Sequence, residues 1–313
     1  MGWIRGEVLG RGGFAFVSKA KTNQEGSRRL PPIVAVKSAK ISESKSLLKE
    51  KELLDQFSAC PCILHCFGDD LTIENGEQLY NILLEYASGG CLVDRITSKG
   101  LPEHAVKHYA KSMLTALNHI HKLGYVHCDI KPHNVLLVKE GISHDEIAKL
   151  ADFGSAKQIA KAGVHEQQED GGFRGTVMYA APESISRQEY LPESDVWSLG
   201  CTILQMLTGK APWKFDKKDQ AKDVLFKIGC ANEIPEIPSN KKIISGEAKD
   251  FLKKCLVKDP RARWKVDMLL DRPFLKIAAP ENCNHHLRHR LSSRLHSMMP
   301  HCFHVSNNGV VHA

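Results

Sequence analysis

The stretch at residues 125–134 constrains this chain more than any other part of its sequence. It carries a carboxylate, an ammonium group and an amide at Asp129, Lys131 and Asn134. The stretch follows a segment at 102–123 whose apolar residues recur with helical period, so it reads as the loop after a long helix. If the three polar groups serve one site, partner residues must occur at defined places elsewhere in the chain.

Size and composition bound the architecture. At 313 residues the chain exceeds the usual limit for a single core, so we expect one large two-lobed domain or two modest domains. The apolar fraction of 42% and the charged fraction of 25% are those of an ordinary globular protein. The formal net charge of +7 comes from scattered basic residues without a long Lys/Arg run, so nucleic acid is not an expected partner.

The sequence also limits the cellular locations to be expected for the protein. Its first residues are too polar for the apolar core of a secretory signal, and no apolar run approaches the roughly 20 residues of a membrane span. Ten cysteines in such a chain are expected to be reduced thiols. We therefore expect a cytoplasmic location, with the nucleus as a second one, and no membrane partner.

Residues 1–84 read as short strands with one helix. A glycine-rich turn that contains Gly10 and Gly12 joins the strands predicted at 3–9 and 14–21. Glycines let the backbone approach phosphate oxygens without an intervening side chain. A plain hairpin turn explains the glycines equally well.

The strand predicted at 33–37 ends on Lys37, whose ammonium group could meet phosphate oxygens. Glu50 lies in the middle of the next segment, a helix predicted over 42–57. It is either part of a solvated helix face or the ion-pair partner of Lys37, with Glu52 as the alternative. The apolar stripe of this helix comprises Leu47, Leu48, Leu53, Leu54 and Phe57.

Cysteine and histidine side chains gather just after this helix. We predict a strand at 63–67, of which residues 64–67 alternate like a core strand, and a zinc site would need a second ligand pair at a distance. We therefore interpret the cluster as cysteines in or near the core and keep zinc as the alternative. Its members are Cys60, Cys62, His65 and Cys66.

Residues 85–90 mark the change from strands to helices. They form either a hinge between two lobes or a simple surface loop. In the hinge interpretation, the backbone groups of Glu85 and Ala87 face a bound base and Leu84 lies at the back of its pocket.

Asp152 ends an apolar strand predicted at 147–151 and is followed by Phe153 and Gly154. A carboxylate at that position can project into a cleft and bind a hard cation through oxygen. Asn134 would supply a second oxygen ligand. Together they predict a Mg²⁺ site for a nucleoside triphosphate.

The C-terminal part reads as helical. Asp195 lies at the start of a helix that is apolar nearly all round, which is typical of a buried central helix. Taken by itself, Arg263 reads as a surface arginine. Residues 276–313 are rich in histidine and poor in apolar residues, so we expect a disordered basic tail, with a metal-binding tail as the alternative.

In their order and spacing, these residues resemble the eukaryotic serine/threonine protein kinases over residues 3–275. The resemblance implies an α+β, bilobal fold. Its small N-lobe, at 1–84, would hold a five-stranded antiparallel sheet and one helix. A hinge at 85–90 would connect it to a larger helical C-lobe at 91–275.

The resemblance also implies roles for single residues. Asp129 would orient the substrate hydroxyl and accept its proton, and Lys131 would steady the γ-phosphate of ATP. Lys37, positioned by Glu50, would hold the α- and β-phosphates. The implied Mg²⁺ ligands are Asn134 and Asp152. The implied ATP-binding residues are Leu9, Gly10, Gly12, Val17, Ala35, Lys37, Leu84, Glu85, Ala87 and Leu136. The implied structural or regulatory residues are Cys128, Thr176, Glu183, Asp195 and Arg263. The resemblance also implies that Arg263 is buried and paired with Glu183.

Within the kinases, segments 83–90, 127–131, 195–202 and 208–213 are most similar to plant MAP kinase kinase kinases of the MEKK-like group. The protein substrates would then be MAP kinase kinases in a stress or hormone signalling cascade. Val177 stands where the family has proline, which leaves the exact substrate open. A serine/threonine kinase outside this cascade is the alternative, and a pseudokinase scaffold would require the loss of catalytic residues that this chain retains.

Cys128 is a second departure from the family. Most kinases have arginine there, which pairs with a phosphate on the activation loop, and cysteine cannot supply that charge. Residues 156–175 contain no Ser, Thr or Tyr, although Glu166, Glu169 and Asp170 would give the loop fixed charge. Both observations predict that loop phosphorylation is not the switch. We interpret Cys128 as a small neutral filler, with a reactive thiol as the alternative.

Overall fold

The computed structural model describes residues 2–23, 30–139, 146–159, 172–215, 220–231, 233–240 and 243–276. The tail predicted at 276–313 lies outside the described residues except for Lys276. The acidic loop residues Glu166, Glu169 and Asp170 also lie outside them.

Five antiparallel strands and one helix form the N-terminal part of the fold. The strands are β1 (Trp3–Arg11), β2 (Phe16–Thr22), β3 (Ile33–Lys40), β4 (Cys66–Glu74) and β5 (Glu77–Glu85), and the helix is α1 (Lys45–Gln56). The order across the sheet is β1-β2-β3-β5-β4, with every neighbouring pair antiparallel. This confirms the N-lobe architecture that the resemblance implies.

Helices dominate the rest of the chain. They are α2 (Leu92–Arg95), α3 (Glu103–Lys122), α4 (Pro182–Arg187), α5 (Pro192–Thr208), α6 (Ala221–Gly229), α7 (Gly246–Cys255) and α8 (Val266–Leu270). Four short strands accompany them, namely β6 (Tyr125–Val126), β7 (Val135–Lys139), β8 (Glu146–Leu150) and β9 (Lys157–Gln158). These strands pair as β6 with β9 and β7 with β8, on either side of the loop at 127–134.

The central helix of this part is α5. Pro192 occupies its first turn. The Ser194 hydroxyl accepts a hydrogen bond from the backbone N–H of Leu191 at 3.1 Å, so this N–H at the start of the helix has a partner. Every residue from Ser194 to Leu207 except Gln205 is buried. The prediction of a buried central helix is therefore confirmed.

One residue of the apolar stripe predicted for α1 is not buried. Leu47, Leu53 and Leu54 are buried, whereas Leu48 is 45% exposed. Successive helix residues are turned by about 100°, so Leu48 points away from the core in which Leu47 is buried.

The strand predicted at 63–67 is wrong in its bounds. Ile63 belongs to a turn in which its N–H donates to the Cys60 carbonyl at 3.1 Å, and it forms only an isolated bridge with Leu150. The strand β4 begins at Cys66 instead. The alternation of apolar residues here reflects contacts with β8 rather than a place in the five-stranded sheet.

Among the described residues, no helix is both long enough and apolar enough to cross a bilayer.

Candidate active site

A cleft of about 780 Å³ lies between the five-stranded sheet and the helical part. All ten residues predicted to contact ATP line this cleft, from Leu9 on β1 to Leu136 on β7. Leu9, Val17, Ala35, Leu84 and Leu136 give it apolar walls, which suit a flat aromatic base, and its volume is typical of a small-molecule site.

The glycine-rich turn lines the cleft. The backbone N–H of Gly12 donates to the Ala15 carbonyl at 2.7 Å and closes the turn. A Cβ atom at Gly10 would meet nothing within 4 Å. Local packing therefore does not require glycine at position 10.

Lys37, Glu50 and Asp152 meet inside the cleft. The Nζ atom of Lys37 lies 2.6 Å from Oε2 of Glu50 and 3.0 Å from Oδ1 of Asp152. Glu50 is buried on α1, whereas Glu52, the alternative partner, is exposed. The Lys37 ammonium group thus connects β3 with Glu50 of α1 and with Asp152, which follows β8.

These contacts shift the acidities of the three groups. Burial alone would lower the pKa of Lys37, but the charges of Glu50 and Asp152 outweigh it and raise this pKa. Burial would raise the pKa of Asp152, yet the nearby Lys37 ammonium holds it below its ordinary value. For Glu50, burial raises the pKa more than Lys37 lowers it. We take the 2.6 Å contact as an ion pair, because Lys37 keeps its proton and has two carboxylate partners.

Asp129 is held by three donors. Its Oδ1 accepts the Thr176 hydroxyl at 2.7 Å, and its Oδ2 accepts Lys131 Nζ at 2.7 Å and Asn134 Nδ2 at 2.9 Å. Lys131 also donates to the Thr176 hydroxyl at 2.7 Å. The arrangement fixes a carboxylate, a cation and a hydroxyl in one cluster.

Asn134 and Asp152 fit a magnesium ion in the chemistry of their donors. The amide nitrogen of Asn134 donates to the backbone and side chain of Asp129, which leaves the amide oxygen as the atom for a cation. Asp152 uses Oδ1 for Lys37, so its second oxygen can serve as a ligand. Both residues line the same cleft, and oxygen atoms are the ligands that Mg²⁺ prefers.

Comparisons with known proteins place the chain in a family. A family model described as Protein kinase domain matches residues 3–275. The chain belongs to the protein kinase family.

The relatives of this kinase show which group of protein kinases it resembles. It is 41% identical to mitogen-activated protein kinase kinase kinase 20 of Arabidopsis thaliana over 280 residues, which cover 88% of this chain and 79% of that relative. It is 37% identical to mitogen-activated protein kinase kinase kinase 17 of the same plant over 279 residues, covering 88% and 70%. Mitogen-activated protein kinase kinase kinase 4 of Homo sapiens is 32% identical over 287 residues, covering 89% and 16%. The kinase is thus a serine/threonine protein kinase similar to plant enzymes of the MEKK-like group.

The buried carboxylate of Asp195 holds the backbone of the loop at 127–134. Its carboxylate accepts the backbone N–H groups of His127 at 2.8 Å and Cys128 at 3.0 Å, and it lies 2.8 Å from Nε2 of His121. Cys128 has φ of +69°, a left-handed conformation that is uncommon outside glycine. The bonds to a buried carboxylate hold this strained loop in place.

The environment of Cys128 fits a neutral filler. Its Sγ atom contacts the Val126 carbonyl at 3.5 Å, and burial, assisted by the charge of Asp195, raises the pKa of its thiol. A thiol that keeps its proton is a poor nucleophile. The reactive-thiol alternative therefore finds no support at this position.

Arg263 and Glu183 form a buried ion pair in the kinase. The guanidinium binds both carboxylate oxygens, at 2.8 and 3.1 Å, and both side chains are at most 1% exposed. Its remaining donors reach the backbone carbonyls of Val257, Glu193 and Lys258. All five N–H groups of the arginine are thereby satisfied.

Sequence reasoning missed two contributors to the site. His127 accepts the Asp129 N–H at Nδ1, at 3.3 Å, so its Nε2 carries the hydrogen donated to the Ala151 carbonyl at 3.2 Å. Its ring also packs against Phe153 at 4.8 Å between centroids. A buried histidine beside Asp129 was visible in the sequence only as part of the motif.

The second missed contributor is Lys149, a buried residue of β8. Its Nζ atom lies 3.0 and 2.9 Å from the two carboxylate oxygens of Glu85, the last residue of β5. A lysine in a short apolar strand gives no signal of its partner, because the partner is distant in sequence.

Among the described ranges, no three side chains of His, Cys, Asp or Glu converge as metal ligands. The zinc alternative at Cys60, Cys62, His65 and Cys66 thus has no supporting geometry there.

Proposed function

We propose that this kinase is a MAP kinase kinase kinase, which transfers the γ-phosphoryl group of ATP to serine or threonine side chains of MAP kinase kinases in a stress or hormone signalling cascade. We expect it to act in the cytoplasm, with the nucleus as a second location. The observation that carries the proposal is the meeting of Lys37, Glu50 and Asp152 in one cleft, in a chain whose relatives are named as MAP kinase kinase kinases.

The residues of the catalytic loop account for the chemistry. The substrate hydroxyl oxygen attacks the γ-phosphorus, the bond to the bridging oxygen breaks, and the hydroxyl proton passes to Asp129. Lys131, 2.7 Å from Asp129, can donate to the γ-phosphate and offset the charge that develops there. Asn134 and Asp152 would hold Mg²⁺, which neutralises phosphate charge when bound. Positioning and charge neutralisation supply most of the acceleration.

An in vitro phosphorylation panel tests the substrate class. The purified kinase is incubated with Mg-ATP and a set of kinase-inactive MAP kinase kinases, with a generic basic protein as the control. We expect phosphate on serine or threonine of at least one panel member, at a much higher kcat/KM than on the basic protein. Phosphorylation of the basic protein alone would move the kinase outside this cascade.

A second proposal concerns regulation. We infer that phosphorylation of the activation loop does not switch the kinase, because residues 156–175 lack an acceptor hydroxyl and Cys128 supplies no cation. Control would then lie in protein abundance or in a partner. Phosphatase treatment should leave activity unchanged, and a large loss traced to residues 155–176 would contradict the inference.

A further inference from the structure

A second ion pair joins the five-stranded sheet to β8. The Nζ atom of Lys149 on β8 lies 3.0 and 2.9 Å from Oε1 and Oε2 of Glu85, the last residue of β5. The first ion pair is that of Lys37 on β3 with Asp152, at 3.0 Å. Only residues 150–151 separate Lys149 from Asp152 in the chain, so this short stretch is bound to the sheet at both of its ends.

The ammonium group of Lys149 depends on Glu85. Lys149 is only 7% exposed, and the side chain of Glu85 is 21% exposed. A lysine is rarely buried to this extent unless a carboxylate compensates its charge. Because separating the pair would leave a buried ammonium group without this carboxylate, the side chain of Glu85 is held against β8.

The strand that carries Lys149 is itself held on both sides. On one side, Lys149 is the register partner of Leu136 in the antiparallel pair of β7 with β8. On the other side, the N–H of Leu150 donates to the Cys62 carbonyl and the carbonyl of Leu150 accepts the N–H of Leu64, both at 2.9 Å. These backbone contacts fix the main chain from which the lysine extends. Lys149 therefore offers its partner carboxylate a fixed contact, unlike a surface lysine.

Glu85 connects this ion pair to the cleft. It lines the cleft together with Leu84, which precedes it in β5, and with Leu136, the register partner of Lys149. Lys149 is not among the described residues that line the cleft. It would therefore act on a bound nucleotide through other residues, and Glu85 is the residue whose side chain it binds.

We propose that Lys149 is a positioning residue for nucleotide binding. Through the ion pair it holds the backbone of Glu85 where that backbone meets the base of ATP, a contact that rests on the proposed function.

The groups proposed to act in phosphoryl transfer have anchors of their own. Lys37 holds Asp152 at 3.0 Å, and three other donors hold Asp129. None of these hydrogen bonds involves Lys149 or Glu85. Loss of the Lys149 charge should therefore weaken nucleotide binding and leave the transfer step nearly intact, which appears as a change in KM without a change in kcat.

The experiment uses the full-length kinase and measures binding as well as activity. The Kd for ADP is determined by titration calorimetry, KM for ATP and kcat by steady-state kinetics, and the unfolding midpoint by circular dichroism. The variants are Lys149→Met, Glu85→Gln, the two combined, and Lys149→Arg. The matched control is Lys107→Met on α3, whose ammonium group also has two carboxylate partners, Glu103 and Glu247, at 3.5 and 3.4 Å.

We expect Lys149→Met to raise the Kd for ADP and KM for ATP about tenfold, while kcat changes by less than about twofold. Lys149→Arg keeps a cation for the two oxygens, so it should bind ADP more tightly than Lys149→Met. The combined variant should bind no more weakly than Lys149→Met, because both substitutions remove the same contact. Lys107→Met should bind ADP like the parent.

An unchanged Kd for ADP in the folded Lys149→Met kinase, a fall in kcat at unchanged KM, or additive losses in the combined variant would each overturn the proposal. An equal loss of affinity in Lys107→Met would overturn it too. If Lys149→Met does not fold, the Kd of Glu85→Gln decides, because that side chain is partly exposed. Weaker ADP binding by Lys149→Met, in a kinase whose parent transfers no phosphate to protein, would support this inference and count against the proposed function.

Discussion

At the residue scale, the proposed catalytic role of Asp129 rests on the three donors that hold its carboxylate. Its two carboxylate oxygens accept from Thr176, Lys131 and Asn134, so neither oxygen is free to rotate away. A base fixed in this way can meet a hydroxyl without first reorganising. We therefore expect the proposed role of Asp129 to depend on its charge and not only on its shape.

The Asp129→Asn variant tests this role. An amide cannot accept the substrate proton, so we expect kcat to fall by about 10² to 10⁴ while the unfolding midpoint stays close to that of the parent. Steady-state kinetics with Mg-ATP and a protein substrate measure the change. The matched control is Asp271→Asn, an exposed aspartate, which should keep full activity. Near-normal kcat in Asp129→Asn would assign the proton to another group.

Some residue contacts could be predicted and others could not. The motif order indicated that Lys37 would meet a glutamate of α1, but helical period alone could not choose between Glu50 and Glu52. Only the packing of α1 on the sheet buries Glu50 and exposes Glu52. The contact of Lys149 with Glu85 left no sequence signal, because an ion pair across 64 positions has no local pattern.

At the scale of elements, one buried arginine ties α4, α5 and the loop before α8 together. Arg263 binds Glu183 of α4 and the carbonyl of Glu193 on α5, while the Ser194 hydroxyl of α5 donates to the same glutamate at 2.8 Å. Since both charges are removed from water, each depends on the other for solvation. The sequence indicated this pair only through the family resemblance.

The Arg263→Met variant should lose about 3–5 kcal/mol of unfolding free energy, because Glu183 would remain as an uncompensated buried charge. Urea denaturation followed by circular dichroism measures the loss. Lys214→Met is the matched control, since its partner Glu236 lies at a similar 2.6 Å but both side chains are exposed. We expect no measurable change in the control. Equal effects in the two variants would show that burial of the pair does not matter.

Gly209 shows a second constraint at this scale, at the C-terminus of α5. Its φ is +70°, and a Cβ atom there would lie 2.2 Å from the carbonyl oxygen of Thr97. The helix therefore ends in a left-handed residue packed directly on the backbone that precedes α3.

Gly209→Ala should lower the free energy of unfolding by about 1–3 kcal/mol through backbone strain. The clash of its Cβ atom with the Thr97 carbonyl should lower it further. The control is Gly246→Ala in the first turn of α7, where a Cβ atom would meet nothing within 4 Å. That change should be neutral or should stabilise by up to about 1 kcal/mol. Thermal unfolding of both variants measures the difference, and a stable Gly209→Ala protein would mean that this junction can relax.

At the scale of the whole molecule, the site exists only because distant segments fold onto one cleft. Lys37 and Asp152 are 115 positions apart in the chain, yet their side chains lie within 3.0 Å. The strands β1, β2, β3 and β5 and the helices α1, α3 and α5 could be predicted, because apolar periodicity and glycine-rich turns mark them locally. The turn at 60–63 could not, since Ile63 forms only a bridge with Leu150 of β8 and the residues that follow it alternate just as those of a sheet strand would.

The most direct test of this account compares phosphoryl transfer by the parent kinase and by Asp152→Asn. Each purified protein is given Mg-ATP labelled at the γ-phosphate and a protein substrate, and phosphoserine and phosphothreonine are counted. Circular dichroism and the unfolding midpoint establish that the variant is folded. We predict rapid transfer by the parent and none above background by Asp152→Asn. Full activity in the folded Asp152→Asn protein would contradict the mechanism.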